Sequence, residues 1–163
     1  MNYFELFDLP VSLLTDRLAL AKKYFELQKQ YHPDFYTQAD EAEQKEALER
    51  SSLVNKALKV LQQPDQTIQY VLQLKGLLTE NEPYKLPPAF LMEMMELNEK
   101  LAAEDTVTFK LEVAAVEKEL YVEVKDTIEK YNDTGISTEK LLKLKEYYFK
   151  KKYLQRILDR MDD

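Results

Sequence analysis

The segment QKQYHPDFYTQ, residues 28–38, joins two long helical patterns and contains the single histidine of a 163-residue chain. Because Pro33 follows His32, the α conformation is disfavoured at that histidine, and the first helix is expected to end there. Proline also fixes its own φ at about −65°, which stiffens the connection. His32 and Asp34 are therefore predicted to stand at a rigid, exposed corner, where docking to another protein costs little conformational entropy.

Two other interpretations of this corner stay open on local chemistry alone. His32 could simply cap the first helix, with Asp34 beginning a turn. Catalysis by the pair is disfavoured, because no nucleophile and no recognisable pocket accompany it. The chain also has no cysteine and only two glycines, which excludes thiolate chemistry and a glycine-rich phosphate loop. We therefore expect a protein that is not an enzyme and that holds no metal ion or other cofactor.

The overall composition indicates a folded protein of the cytoplasm. Hydrophobic residues make up 45% of the chain, which is enough to build a core. The N-terminal sequence MNYFELFDLP has no basic region and no long apolar run, so we expect folded protein there and not a signal peptide. No window is apolar enough to cross a membrane. The net charge of −7 disfavours nucleic acid as a partner.

The sequence on both sides of the corner predicts an antiparallel helical hairpin. The first helix should run from about Asp16 to Tyr31, with Thr15 as its N-cap, and the second from about Asp40 to Gln63. Each helix carries a stripe of residues at helical spacing, and the two stripes should pack against each other. The stripes are Leu20, Tyr24, Leu27 and Tyr31 in the first helix and Ala47, Ser51, Val54, Leu58 and Leu61 in the second. The opposite side of the first helix carries Lys22, Lys23, Glu26 and Lys29.

The remaining chain predicts an all-α protein with two domains. Short helices are expected within residues 2–9 and 67–76, the second one ended by Gly76. Residues 77–88 carry three of the six prolines and little periodicity, which is typical of a connection between domains. Helices at about 88–104, 106–132 and 137–161 then predict a three-helix bundle. The expected domains are a first domain at 1–76, a linker at 77–87 and a second domain at 88–163.

The helix predicted at 88–104 has more apolar residues than a single buried face needs. The stripe expected to face the bundle is Phe90, Met94, Leu97 and Leu101. Leu91, Met92 and Met95 lie elsewhere on this helix, beside Glu96 and Glu99. A wider core or contact with the first domain would explain them, and so would a protein-binding patch, because methionine suits adaptable surfaces.

The last helix shows a similar excess of apolar residues. Leu142, Phe149 and Tyr153 lie nearly opposite a stripe formed by Tyr147, Leu154, Leu158 and Met161. The adjacent run of three lysines, Lys150–Lys152, is expected to be a solvated charged surface.

These segments together resemble a known protein family. The HPD tripeptide between a lysine-bearing amphipathic helix and a long following helix is similar to a J-domain. Four segments resemble, in order and spacing, the HscB co-chaperones of iron–sulfur cluster assembly: YFELFDLP, LQKQYHPDF, SSLVNKALKVLQQPDQTIQYVLQLKG and AFLMEMMELNEKL. The resemblance covers nearly the whole chain and fits the bacterial form of the family.

The resemblance implies partners and contact residues for both domains. His32, Pro33 and Asp34 would contact a DnaK/HscA-type ATPase chaperone and stimulate its ATP hydrolysis, while Lys22, Lys23 and Lys29 would attract it electrostatically. The second domain would bind the iron–sulfur scaffold protein IscU for delivery to that chaperone. The residues implied for this contact are Leu91, Met92, Met95, Glu96, Glu99 and Tyr153. The alternative is a general J-protein that delivers misfolded clients to a DnaK-type chaperone through the same apolar patch.

Overall fold

The computed structural model describes residues 1–101 and 105–162, and the described chain is helical throughout, without strands. The all-α prediction is therefore confirmed. The chain divides into two compact units, Met1–Val71 and Leu72–Asp163. The domain limits expected from the sequence, at residues 76 and 87, stay a prediction. Within the part of the chain that is described, no helix combines the length and the apolar character needed to cross a membrane.

The first unit contains three helices, a short 3₁₀ helix and the first part of a fourth helix. These elements are α1 (Tyr3–Leu6), α2 (Arg17–Tyr31), the 3₁₀ helix (Pro33–Tyr36), α3 (Glu41–Leu61) and α4 (Pro64–Leu74). The predicted N-cap of α2 was wrong by one residue. Asp16 is the cap, because its carboxylate accepts hydrogen bonds from the backbone N–H groups of Leu18 and Ala19 at 2.9 and 3.2 Å. A carboxylate also interacts favourably with the positive end of the helix dipole.

The hairpin of α2 and α3 is packed through small residues of α3. The buried residues of α3 are Ala47, Ser51, Val54, Ala57 and Leu61, so Ala57 takes the buried place expected for Leu58, which is half-buried. Tyr24 and Gln28 of α2 both donate hydrogen bonds to the side-chain oxygen of Asn55, at 3.0 and 3.1 Å. This shared acceptor fixes the register of the two helices.

The short helix α1 is held on α4 by aromatic residues. The ring of Tyr3 stacks on that of Tyr70 with centroids 4.4 Å apart, and the backbone N–H of Tyr3 donates to the Tyr70 hydroxyl at 2.9 Å. Phe4 and Phe7 are fully buried. Gly76 follows the end of α4 with a φ of 73°, which is the left-handed conformation expected of a helix-ending glycine.

The second unit is built from α5 (Pro88–Leu101), α6 (Thr106–Glu129) and α7 (Thr138–Met161). Its main cluster of buried residues draws on all three helices and consists of Phe90, Met94, Leu97, Phe109, Val113, Leu154 and Ile157. Because the beginning of α6 and the end of α7 share this cluster, the two helices run antiparallel. The side chain of Leu101, expected in the same stripe, and residues 102–104, expected to continue α5, lie outside the described residues.

The segment predicted as a linker has no helix and lies against the second unit's own helices. Glu82 pairs with Lys145 of α7 at 2.7 Å, and Tyr84 stacks on Phe149 with centroids 4.3 Å apart. Tyr84 therefore covers one of the α7 residues that the sequence left without a partner. Just before this segment, Lys75 pairs with Asp133 at 2.7 Å, at the connection between α6 and α7.

The two ion pairs make the stability of this unit sensitive to acid. The hydrogen bond from Lys145 holds the pKa of Glu82 below its ordinary value. Burial acts to raise the pKa of Asp133, but hydrogen bonds from Lys75 and Tyr131 and the Lys75 charge lower it below its ordinary value. A carboxylate with a lowered pKa stabilises the fold above its unfolded-state pKa, and that contribution is lost as the pH falls through its folded-state value.

We expect Glu82→Gln to lower the melting temperature at neutral pH, because the variant cannot form the charged pair with Lys145. The difference from the parent chain should close as the pH falls below about 4.3, the ordinary glutamate pKa. Thermal melting followed by circular dichroism across this range measures the effect. Glu80→Gln, at an exposed position two residues away, is the matched control and should melt like the parent chain. If Glu82→Gln lowered the melting temperature by the same amount at every pH, the effect would not come from the charged pair with Lys145.

Candidate functional site

The HPD corner begins where α2 ends, at the residue the sequence predicted. His32 has left the helical conformation with a ψ of 129°, yet its backbone N–H still donates to the Gln28 carbonyl at 2.9 Å. Pro33 then opens the 3₁₀ helix, which the sequence did not predict, and the Phe35 N–H donates to the His32 carbonyl at 3.0 Å. His32 thus terminates one helix and caps the next.

A local hydrogen bond holds the His32 ring, and the side chains of His32 and Asp34 are both exposed. Nδ1 of His32 accepts a hydrogen bond from the backbone N–H of Asp34 at 3.2 Å. The Asp34 carboxylate lies 3.6 Å from the same nitrogen, but this is not an ion pair, because Nδ1 is already an acceptor. Nε2 is therefore the ring nitrogen able to donate to another molecule. The two side chains are 46% and 84% exposed.

Three hydrogen bonds from neighbouring side chains hold the corner in place. The Tyr36 hydroxyl donates to the backbone carbonyl of Gln30, in the last turn of α2. The amide of Gln44, in α3, donates to the carbonyls of Tyr36 and Thr37 at 3.0 and 3.3 Å. The tripeptide is therefore tied to both helices of the hairpin by groups outside the motif itself.

Two of the three lysines predicted for chaperone contact are exposed on α2. These are Lys22 and Lys29. Lys23 is half-buried and engaged within the unit, 3.4 Å from the Asp8 carboxylate and 3.9 Å from that of Glu26. A role for Lys23 in binding would therefore compete with its pairing to Asp8, whereas Lys22 and Lys29 need no rearrangement.

Leu18 and Phe25 are exposed on the same side of α2 as these lysines, and they were missed as candidates from the sequence. The order Leu18, Lys22, Phe25, Lys29 follows spacings of four, three and four, which places all of them on one face. The signal was present in the sequence, since a wheel of α2 gives an apolar pair opposite the buried stripe. The α2 surface is thus both basic and apolar.

The second candidate surface lies on α5. Met92 and Met95 are 64% and 63% exposed, whereas Met94 between them is fully buried. Glu96 and Glu99 are exposed beside the two methionines, and Leu91 is half-buried. The structure therefore brings five of the six residues predicted for scaffold binding together on one helix. It separates them from the bundle-facing residues Phe90, Met94 and Leu97, as expected.

The sixth predicted residue, Tyr153, lies next to Phe90 of α5 and packs against the buried cluster of the bundle. Its ring meets that of Phe90 edge to face, with centroids 5.9 Å apart, and it is half-buried. The Lys150 ammonium lies 5.3 Å from the centre of the Phe90 ring, and only 16% of this side chain is exposed. The expectation that Lys150–Lys152 form a solvated run is therefore wrong for Lys150, whose stem packs on the bundle.

Both surfaces consist largely of exposed side chains, which can contact another protein. Throughout residues 1–101 and 105–162, no three histidine, cysteine or acidic side chains are grouped so as to hold a metal ion. A groove of about 250 Å³ runs between α5 and α6, and the buried residues Met94 and Leu97 contribute to its lining. Glu93 and Glu96 border this groove, together with Lys100 and Glu112.

Comparison with known proteins finds similarity along the whole chain. Residues 86–162 match the family model described as the HSCB C-terminal oligomerisation domain. A co-chaperone protein HscB homolog from Vibrio cholerae is 39% identical over 102 residues, which is 62% of this chain and 60% of that relative. The aligned part thus spans less than two thirds of the relative's length.

Two solved structures are also similar to this chain. The crystal structure of human co-chaperone protein HscB superposes with a TM-score of 0.82 at 30% identity, covering 99% of this chain and 81% of that one. The chaperone HscB from Vibrio cholerae superposes with a TM-score of 0.65 at 28% identity, covering 99% of both chains.

The three methionines of α5 allow a direct test of which face is core. Met94→Ala should destabilise the fold by about 2–5 kcal/mol, because it removes a fully buried side chain. Met92→Ala and Met95→Ala should each change stability by no more than about 0.5 kcal/mol. Denaturant titrations of the three single variants measure the free energy of unfolding. The comparison is matched, because each variant replaces a methionine of α5 by alanine. Equal losses at the three positions would place Met92 and Met95 in a core.

Proposed function

The chain belongs to the HscB family of co-chaperones, and from this membership we propose that it stimulates the ATPase of a DnaK/HscA-type chaperone and brings an IscU-type iron–sulfur scaffold protein to it. The first unit would contact the chaperone and the second would hold the scaffold. The protein would thereby assist the assembly and transfer of iron–sulfur clusters in the cytoplasm. Relatives named as co-chaperones favour this role over that of an enzyme.

The observation that carries the proposal is that the HPD corner has a rigid backbone and exposed side chains. The backbone of the corner is held by hydrogen bonds from Tyr36 and Gln44, while the side chains of His32 and Asp34 remain exposed, which is the combination a docking motif needs. Order lowers the conformational entropy lost on binding, and exposure leaves Nε2 of His32 and the Asp34 carboxylate able to bond to the chaperone.

The exposed face of α2 supports a partner with an acidic and partly apolar surface. Lys22 and Lys29 would raise the rate of encounter with such a surface. Phe25 and Leu18 would contribute apolar area next to these charges once contact is made, and aromatic residues often dominate binding energy at interfaces. The face is continuous with the corner through the last turn of α2.

The exposed face of α5 supports a different kind of partner. Met92 and Met95 provide an apolar centre, and Glu96 and Glu99 provide acidic positions beside it. A scaffold that binds here should present an apolar patch flanked by basic residues. The two acidic positions favour a partner of defined charge over unfolded clients in general, because charges beside an apolar contact discriminate between partners.

We expect His32→Gln to abolish stimulation of the chaperone's ATPase while leaving the melting temperature near that of the parent chain. The side chain is about half exposed, and its one hydrogen bond to the Asp34 backbone is local. A coupled ATPase assay with a DnaK-type chaperone, together with thermal melting, measures both quantities. Gln38→Ala, at an exposed position of the same connection, should stimulate normally. Full stimulation by His32→Gln would overturn the assignment of the corner.

Combining Met92→Ala with Met95→Ala should weaken binding of an IscU-type scaffold without changing basal ATPase stimulation. Loss of about 2 kcal/mol at an apolar interface centre corresponds to a roughly thirtyfold loss of affinity. Calorimetric titration with the scaffold measures the affinity, and Met1→Ala, another exposed methionine, is the control. Unchanged scaffold affinity, or equal loss of binding to unfolded proteins, would instead favour the general J-protein.

A further inference from the structure

Phe35 directly follows the HPD tripeptide, and its side chain is 68% exposed. The next residue of the 3₁₀ helix, Tyr36, is half-buried, and its hydroxyl donates to the backbone carbonyl of Gln30. Tyr36 therefore holds the corner in place. The Phe35 ring is left in water, and the contacts proposed above for the chaperone do not include it.

The ring of Phe35 lies against the ring of His32. The two ring centroids are 6.1 Å apart and the ring planes are inclined by 71°, which is an edge-to-face arrangement. The backbone produces this contact, because the Phe35 N–H donates to the His32 carbonyl at 3.0 Å and side chains three residues apart in a 3₁₀ helix lie on the same side. Phe35 therefore stands beside the imidazole at the exposed corner.

Phe35 also extends the exposed face of α2 beyond the end of that helix. Leu18, Phe25 and His32 are seven residues apart, which places them on one side of a helix. His32 still belongs to this helical path, because its N–H donates to the Gln28 carbonyl. Leu18 and Phe25 are 85% and 66% exposed. The contact between His32 and Phe35 thus continues a line of exposed apolar side chains into the corner.

Single exposed apolar side chains are ordinary on protein surfaces, but the backbone on both sides of Phe35 is fixed. Pro33 restricts the chain before it, and the Gln44 amide donates to the carbonyls of Tyr36 and Thr37 directly after it. Little backbone entropy is lost when another protein covers a residue held in this way. Aromatic residues are also enriched among those that dominate binding energy at interfaces.

We propose that Phe35 is an apolar anchor for the chaperone and determines which chaperones fit the corner. The matching chaperone has an apolar pocket next to the groups that bond to Nε2 of His32 and to the Asp34 carboxylate. A chaperone with a charged or hydrated group at that place binds less well, because the ring removes water from that group without offering it a hydrogen bond. This inference rests on the proposed function, since Phe35 reaches the chaperone only if the tripeptide does.

ATPase stimulation measured against the concentration of the full chain separates binding from activation. Phe35→Ala should raise the concentration needed for half-maximal stimulation at least about tenfold, because the variant lacks the aromatic anchor. Maximal stimulation at saturation should equal that of the parent chain, since the HPD tripeptide is unchanged. Phe35→Leu keeps an apolar side chain and should recover most of the affinity, whereas Phe35→Lys should not.

Leu111→Ala is the control, because it removes an apolar side chain of α6 that is 66% exposed, and it should stimulate like the parent chain. All variants at position 35 should melt near the parent chain, since the position is exposed. An unchanged half-maximal concentration for Phe35→Ala would overturn the inference. Parent-like affinity of Phe35→Lys would overturn it as well, because a basic side chain is a poor occupant of an apolar pocket.

The alternative role for Phe35 is to orient the imidazole of His32 without contacting the chaperone. Phe35→Ala would then lower the maximal stimulation, and the inference would be wrong. Nδ1 of His32 already accepts from the Asp34 N–H at 3.2 Å, so we expect the ring to keep its tautomer without Phe35. Nitrogen chemical shifts of this single histidine should show the same neutral tautomer in Phe35→Ala and in the parent chain. A changed tautomer would favour the orienting role.

The parent chain and His32→Gln distinguish failure of this inference from failure of the proposed function. A parent chain that stimulates no DnaK/HscA-type chaperone would overturn both together. If the parent chain stimulates, His32→Gln does not, and Phe35→Ala acts like the parent chain at every concentration, the proposed function stands and Phe35 is no anchor.

Discussion

The steric conflict between Pro33 and the residue before it fixes where α2 ends, and much of the first unit follows from that end. The chain turns at His32 and begins the 3₁₀ helix, and α3 can then return along α2 with Asn55 accepting hydrogen bonds from Tyr24 and Gln28. Gln44 and Tyr36 hold the turn from outside. Because the rigidity comes from the proline and from these neighbours, the backbone at His32 and Asp34 needs no burial to be ordered. Their side chains remain available for contact.

In the second unit the corresponding constraint is the rotation of about 100° per residue in an α-helix. Along α5 this rotation places the residues that stabilise the core and the exposed residues proposed for binding on different faces. Met94 points into the bundle and is fully buried, while Met92 and Met95 on either side of it are exposed. A rigid core stripe therefore positions an adaptable patch on its own helix. The same principle applies to α6, where Phe109 and Val113 are buried while Val107, Leu111 and Val122 are exposed.

The features that the sequence predicted correctly are those set by local rules. The end of α2 at Pro33 and the left-handed Gly76 follow from backbone sterics, and the burial of Phe90, Met94 and Leu97 follows from helical spacing. The features that were wrong or missed depend on contacts between distant residues. Tyr84 covers Phe149 and Lys150 packs over Phe90, and neither contact is visible in a pattern within one helix. The exposed position of Phe25 could be read from the helical spacing of α2, but the prediction considered only one apolar stripe per helix and left this residue unassigned.

The charges of the two proposed partner surfaces oppose each other, and this gives a physical reason why each would select its own partner. The chain as a whole has a net charge of −7, yet α2 contains four basic residues and one acidic residue. In α5 the balance is reversed, with three acidic residues and one basic residue. An acidic partner is therefore attracted to α2 and repelled by α5, and a basic partner experiences the opposite field. Because both surfaces also expose apolar side chains, apolar contact alone would not tell the partners apart. Discrimination between the proposed chaperone and scaffold would then depend on charge, and the apolar residues Phe25, Met92 and Met95 would supply affinity only after the correct encounter.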